Sequence, residues 1–338
     1  MTQKTTLRDV AALAGVHYGT ASRALRPDTA HLVSPRTVAR VRDAASKLRY
    51  TPDVIAQSLR TSRTSTVGVV IPDIANPITG SMTRGVQDVL TTAGYVSLVL
   101  STDHDPEHER HQISALLSRQ VDGLIVANAD SPTSRFEDIA ERGIALVLAN
   151  RGTDARLTTV NAAVGAGIDA AVEHLVSLGH RRIAFIGASR DPSTGRGRHL
   201  SFEESVAARG LAASSRDVRF SESFGLADGS ALMRELLTDG TGHTAVITGN
   251  DVMAIGAIAA VRDAGLHCPS DISIVGINDM QFVEFLDPSL TTIHVPHHEI
   301  GRAAAEALLA KLAGETPSSV VLPVEFVVRG STAAPHAA

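Results

Sequence analysis

Two hydrophobic periods divide this chain. Near its start apolar side chains recur every three or four positions: Leu7, Val10, Ala11 and Ala14 fall at i, i+3, i+4 and i+7, one face of a helix. Thr5 or Thr6 can cap its start, and Gly15 stands where a helix ends in the left-handed region at little steric cost. The pattern predicts a second helix from about Tyr18 to Leu25, with Ala21, Ala24 and Leu25 inward. The stretch SPRTVARVRDAASKL opens a third, with Ser34 as N-cap, Pro35 at the first helical position, and Val38, Val41, Ala45 and Leu48 on one face. Three short helices around a small apolar centre, with a glycine-led turn between the first two, read as a helix-turn-helix. Such a turn crosses the helices so that the second projects and can enter a DNA major groove. Its outward residues are Tyr18, Gly19, Thr20, Ser22 and Arg23. Arginine pairs bidentately with a guanine edge, and hydroxyls serve bases or phosphates. A three-helix bundle that binds protein has the same pattern.

The residues from about Pro52 to Leu59 predict one more short helix, and the polar RTSRTST that follows is linker-like. From Val67 the period changes. Apolar runs at 67–71, 95–100, 123–127 and 144–149 predict the first strands, followed by runs at 182–187, 244–249, 272–276, 291–295 and 320–328. Between them lie helical stretches such as TRGVQDVLTTAG, HQISALLSRQ, AGIDAAVEHLVSLGH and VMAIGAIAAVRDAG. Apolar strands alternating with amphipathic helices imply doubly wound parallel sheets covered on both faces, and this many strands imply two lobes.

Composition sharpens the division. The 338 residues carry a net charge of −5, but residues 1–63 hold eleven basic side chains against four acidic ones, a net of +7. A basic head on an acidic body implies that the head meets a polyanion and the body does not. The one cysteine excludes a disulfide framework and fits a reducing compartment. With no apolar leader and no apolar run of membrane-spanning length, a cytoplasmic protein with no membrane partner is expected.

The motifs TLRDVAALAGV, TASRAL, VSPRTVARVRDAASKLRYTP and IAQSLR resemble the head of the lactose-repressor (LacI/GalR) family of bacterial transcription regulators. AAVEHLVSLGHRRIAFIGA, AVITGNDVMAIGAIAAVRDAGL, DISIVGIND and PSLTTIH resemble the same family's effector-binding core, which is similar to periplasmic sugar-binding proteins. The resemblance spans nearly the whole chain. It implies an all-α helix-turn-helix head over 1–50, a hinge helix and linker over 51–64, and an effector-binding and dimerisation domain over 65–338. The lobes of that domain are expected at about 65–160 with 291–320, and about 161–290 with 321–330. It further implies a homodimeric repressor on a pseudo-palindromic operator, switched by a small sugar-like effector in the inter-lobe cleft.

DNA contacts are assigned in the head to Thr6, Tyr18, Gly19, Thr20, Ser22, Arg23 and Ser34. In the hinge helix they are assigned to Ala56, Leu59 and Arg60, Leu59 being the residue that wedges a base step of the minor groove. The family has serine where His17 stands and a base-reading side chain where Gly19 stands, which shifts sequence readout towards Tyr18 and Arg23 or towards a neighbouring residue. Around the cleft the resemblance places Ala75, Asn76, Ile78, Asn128 and Asn150 on one side. On the other it places Thr194, Arg198, Phe224, Asn250 and Asn278, the last replacing the family's aspartate. A forked cation, several amides and an aromatic face suit a polyol. Each of the asparagines also reads as a turn former or helix cap.

Other motifs are set aside. GAGIDA at 165–170 has the dinucleotide spacing, but TTVNAAV before it reads as a poor strand. His104, Glu107, His108 and His111 cluster as zinc ligands would, but Pro106 argues against the helix face they require. No catalytic motif is found, and neither a cofactor nor a metal is expected. Rival readings are a sugar-binding transport protein, which has no use for the head, and a nucleotide-dependent enzyme with a regulatory head. On the hinge reading, Leu59→Ala weakens operator binding on the order of tenfold and reduces DNA bending, with effector affinity intact. Unchanged bending in a circular-permutation gel shift contradicts the assignment.

Overall fold

Thr6 shows how the head is built from local chemistry. The computed structural model describes residues 5–26, 29–51, 63–127, 133–151, 157–188, 194–211 and 216–336, and the chain divides at Thr64/Ser65 into two units. In the first unit Thr6 Oγ1 accepts the Asp9 amide at 3.4 Å while Asp9 Oδ2 accepts the Thr6 amide at 2.8 Å, a closed capping box. It starts α1 (Leu7–Leu13). Gly15 turns the chain at φ +59°, and α2 (Tyr18–Leu25) and α3 (Pro35–Lys47) follow. Ser34 caps α3 by accepting the Thr37 amide at 3.3 Å. Val10, Ala21, Ala24 and Val41 are fully buried at the centre. Helices of seven or eight residues are marginal alone, so this shared core holds them. The expected helix at 52–59 lies outside the described residues.

The second unit holds two six-stranded sheets of matching order. In the first, β1 (Thr66–Ile71), β2 (Val96–Ser101), β3 (Gly123–Ala127), β4 (Ala145–Ala149), β5 (Thr159–Ala162) and β11 (Val320–Leu322) lie in the order β11-β5-β4-β3-β1-β2. In the second, β6 (Ile183–Ala188), β7 (Val218–Ser221), β8 (Ala245–Thr248), β9 (Ser273–Asn278), β10 (Thr291–His294) and β12 (Glu325–Val327) lie in the order β12-β10-β9-β8-β6-β7. All pairs are parallel except β10 with β12. Strand order reverses beside β1 and beside β6, and such switch points open ligand crevices at the carboxyl ends of the strands.

Several expectations need correction. TVNA at 159–162 is a strand after all, because β4 and β11 supply its partners on either side. A strand therefore does precede GAGIDA, but Gly165 and Gly167 sit inside the helix α7 (Val164–Ser177) rather than in a phosphate-binding turn. A Cβ on Gly167 would lie 2.4 Å from Ile293 Cγ2, so that glycine serves packing. The run 320–328 is two strands, split around Pro323 between the two sheets. Residues 291–294 belong to the second sheet, paired in register with Val275–Asn278, so the crossing into the first lobe falls after His294 and not before Thr291.

Each lobe contains one close helix crossing. In the first, α4 (Pro77–Thr92) meets α11 (His297–Leu312). A Cβ on Gly85 would stand 2.0 Å from the His298 carbonyl oxygen, and one on Gly301 2.0 Å from that of Met82. In the second, α9 (Leu226–Thr238) meets α10 (Asp251–Asp263), with Gly229 and Gly256 2.2 Å and 2.0 Å from the Met253 and Leu226 carbonyl oxygens on the same construction. Backbone cannot yield as a side-chain end does. Gly85→Ala is therefore expected to destabilise the protein by about 3 kcal/mol. Gly80→Ala in the same helix, with open space around it, should stabilise by about 0.5–1 kcal/mol. Denaturant titration of both variants checks the contrast, and equal effects would refute it.

Candidate nucleic-acid interface and ligand cleft

On α2 the outward residues emerge as the helical period requires. Tyr18 is half exposed and Arg23 exposed, while Gly19, Thr20 and Ser22 are partly covered. Thr6 and Ser34 are exposed at the starts of α1 and α3, each engaged as a helix cap. His17, which stands where the resemblance leads one to expect a serine cap, nonetheless caps α2: its Nδ1 accepts the Gly19 amide at 3.2 Å. Ala56, Leu59 and Arg60 lie outside the described residues.

In the second unit some of the expected cleft residues touch: Thr194 meets Asn150, and Phe224 meets both Arg198 and Asn250. Asn150 follows β4, with φ +53° and its side chain buried. Its carbonyl accepts the Thr194 hydroxyl at 3.4 Å, a contact from one lobe to the other. Thr194 begins α8 (Thr194–Ala208). Arg198, one turn on, is 6% exposed. Its Nη1 donates to the Gly249 carbonyl at 2.5 Å, and its guanidinium carbon lies 5.8 Å from the Phe224 ring centre.

Asn250 caps α10: Oδ1 accepts the Met253 amide at 2.8 Å and Nδ2 donates to the Phe224 carbonyl at 3.2 Å. Its side chain thus holds Phe224 and the helix in place. Asn76 similarly caps α4 through the Ile78 amide at 3.2 Å. Ile78 reaches the apolar cluster of the second lobe, whereas Ala75 is exposed. Asn128 lies outside the described residues.

Asn278 ends β9 with φ +121°, followed by Asp279 at φ +56°. Two non-glycine residues in this region are strained and persist only where their surroundings determine them. The surroundings are specific: Asp279 is held by Arg329 at 2.7 Å and His294 at 3.1 Å. Asn278 Oδ1 is held by His297 Nε2 at 3.2 Å. An amide oxygen can only accept, so Nε2 carries the proton. Burial, then the Arg198 charge, then His294 push His297 down to about 3, keeping the ring neutral. His297 opens α11 just after the chain crosses to the first lobe. Sequence reasoning missed it, because only its neighbourhood to Arg198 and Asn278 distinguishes it from any helix-start histidine.

Beneath Asn250, the fully buried Asp251 accepts the Thr292 hydroxyl at 2.6 Å and the Met280 amide at 2.9 Å. Burial lifts it to about 6 against those two hydrogen bonds. It ties α10 to β10 and to the segment after β9. Among the described residues no group of three His, Cys, Asp or Glu side chains is placed to hold a metal ion. No helix among them is long and apolar enough to cross a membrane.

A helix-turn-helix unit joined to a body of two parallel-sheet lobes defines a class: DNA-binding regulators with a two-lobed core. Residues 6–53 match the model of bacterial regulatory proteins of the lacI family, and residues 172–332 that of a periplasmic binding protein-like domain. The chain is 32% identical over 340 residues to the HTH-type transcriptional regulator DegA of Bacillus subtilis (strain 168), covering 97% of this chain and 98% of that one. Its structure is similar to that of the lac repressor dimer bound to operator and the anti-inducer ONPF, with TM-score 0.89, 26% identity, and 98% and 100% of the two chains covered. It is also similar to a transcriptional regulator CelR–cellobiose complex, with TM-score 0.74, 30% identity, and 97% and 100% covered. The chain belongs to the LacI family and is a DNA-binding transcriptional regulator.

The depressed His297 has a defined signature in stability. Below its unfolded value of 6.5 the unfolded chain binds a proton that the folded chain refuses, so stability falls as pH falls. His297→Gln removes that proton. From pH 6.5 to pH 5 the variant should gain on the wild type by about 1 kcal/mol per pH unit. Parallel denaturation profiles for the two proteins would rule this out.

Proposed function

We propose that the chain is a homodimeric repressor whose paired α2 helices enter successive major grooves of a pseudo-palindromic operator, and that a sugar-like effector in the inter-lobe cleft switches it. Residues 1–50 serve as the reading head and 51–64 as hinge and linker. Residues 65–338 serve as effector-binding and dimerisation core, with the lobe boundary moved past His294. The observation that carries the cleft reading is Arg198. It is buried in the second lobe, where it donates to the Gly249 carbonyl and lies beside the Phe224 ring, and its charge is felt by His297 at the crossing to the first. A ligand that meets Arg198 therefore acts at the point where lobe closure is set. Thr194 and Asn150 stand at the rim where the lobes touch, and Phe224 offers an apolar face for sugar C–H groups. The complex of CelR with cellobiose supports a sugar as ligand class. The regulators that this chain resembles support a cytoplasmic protein without catalysis of its own.

An effector changes DNA affinity only through unequal affinity for two body conformations. The test begins with a thermal-shift screen of sugars, polyols and purines on the full chain, since a true ligand stabilises by mass action. With that ligand, Arg198→Ala should keep operator affinity within about threefold and lose tenfold or more of the response, the loss expected for one charge-assisted contact. A variant that responds as the wild type does removes Arg198 from the ligand site.

A further inference from the structure

His17 and Gly19 are two departures from the family pattern that the geometry joins into one. The His17 ring folds over the first turn of α2, with Nδ1 accepting the Gly19 amide at 3.2 Å. A Cβ built on Gly19 would lie 3.4 Å from Nδ1 and 3.9 Å from Cε1 of the same ring. The imidazole thus fills the space into which a side chain at position 19 would grow. A nitrogen that accepts a hydrogen bond carries no proton, so the proton of the ring resides on Nε2, across the ring from the helix. His17 is exposed, and Nε2 has no partner among the described residues. It stands beside Tyr18, at the end of the recognition helix whose residues meet base edges in helix-turn-helix complexes.

We infer that His17 is a sequence-reading residue of this regulator: it caps the recognition helix through Nδ1 and donates Nε2–H to an acceptor on a base edge in the major groove, in place of the side chain missing at Gly19. A single donor of this kind selects N7 or O6 of guanine, N7 of adenine or O4 of thymine over the amino groups of cytosine and adenine. The inference rests on the reading of α2 as the helix that enters the groove.

Full-length protein is used to select duplexes from a randomised pool, first as wild type and then as His17→Ser. Serine keeps an acceptor for the cap but has no donor that reaches the groove. The expected result is a base preference that relaxes at one symmetry-related position of each half-site and is unchanged elsewhere. On the best wild-type site His17→Ser should bind about tenfold more weakly. When that base pair alone is changed, the two proteins should bind equally. His17→Ala, which also loses the cap, should show the same relaxation together with a lower melting temperature of the head.

Identical preferences for wild type and His17→Ser would overturn the inference while leaving α2 as the reading helix. An equal loss on every duplex would also overturn it, marking a phosphate contact instead. A wild type that enriches no sequence would overturn the reading of α2 itself, and this inference with it.

Discussion

The body of this protein depends on a chain that crosses between its two sheets at three places: after Ala162, after His294 and after Leu322. Strands of one sheet pair only among themselves, so the lobes are joined through the crossings and through the side chains packed across the divide. Those side chains include Thr194 on the Asn150 carbonyl, Ile78 in the second lobe's apolar cluster, and a buried apolar cluster that runs from Val69 and Val160 of the first sheet to Phe185 and Ile293 of the second.

Within each lobe rigidity comes from close helix packing. Backbone packed on backbone at Gly85, Gly301, Gly229 and Gly256 leaves no slack for a helix to slide. Asp251 contributes the same rigidity by other means. Burying a carboxylate is costly, and the Thr292 and Met280 hydrogen bonds compensate in part, which is why it remains raised to about 6. In return one side chain links α10, β10 and the strained turn at Asn278–Asp279. The cleft floor is therefore mounted on atoms fixed from several directions.

The head solves a different problem with different means. Its core is small: alanines and valines on short helices. Such a core contributes little burial per residue, so helix ends matter more. Thr6, Ser34 and His17 each satisfy an amide that the helix leaves open, and Gly15 makes the turn at positive φ. These caps place α2 with its outward residues clear of the core.

Much of this was legible in the amino-acid sequence. The switch from helical to strand period, the capping residues Thr6, Ser34 and Pro35, the glycine turn and the charge asymmetry are local or compositional, set by each residue and its near neighbours. So are most of the strands, because a fully buried parallel strand reads as an apolar run. The tertiary structure decided the rest. TVNA became a strand because Val320 pairs with Val160, partners so far apart in sequence that no local window contains both. The run 320–328 was divided, and residues 291–294 assigned to the second lobe, by the same long-range pairing. Asn250 proved to be a cap holding Phe224, and His297 a neutral partner of Asn278, because an asparagine or histidine takes its role from what surrounds it. Sequence determines which surfaces must be buried and where helices begin. Only the packed chain determines which distant groups become neighbours, and hence what each polar side chain does.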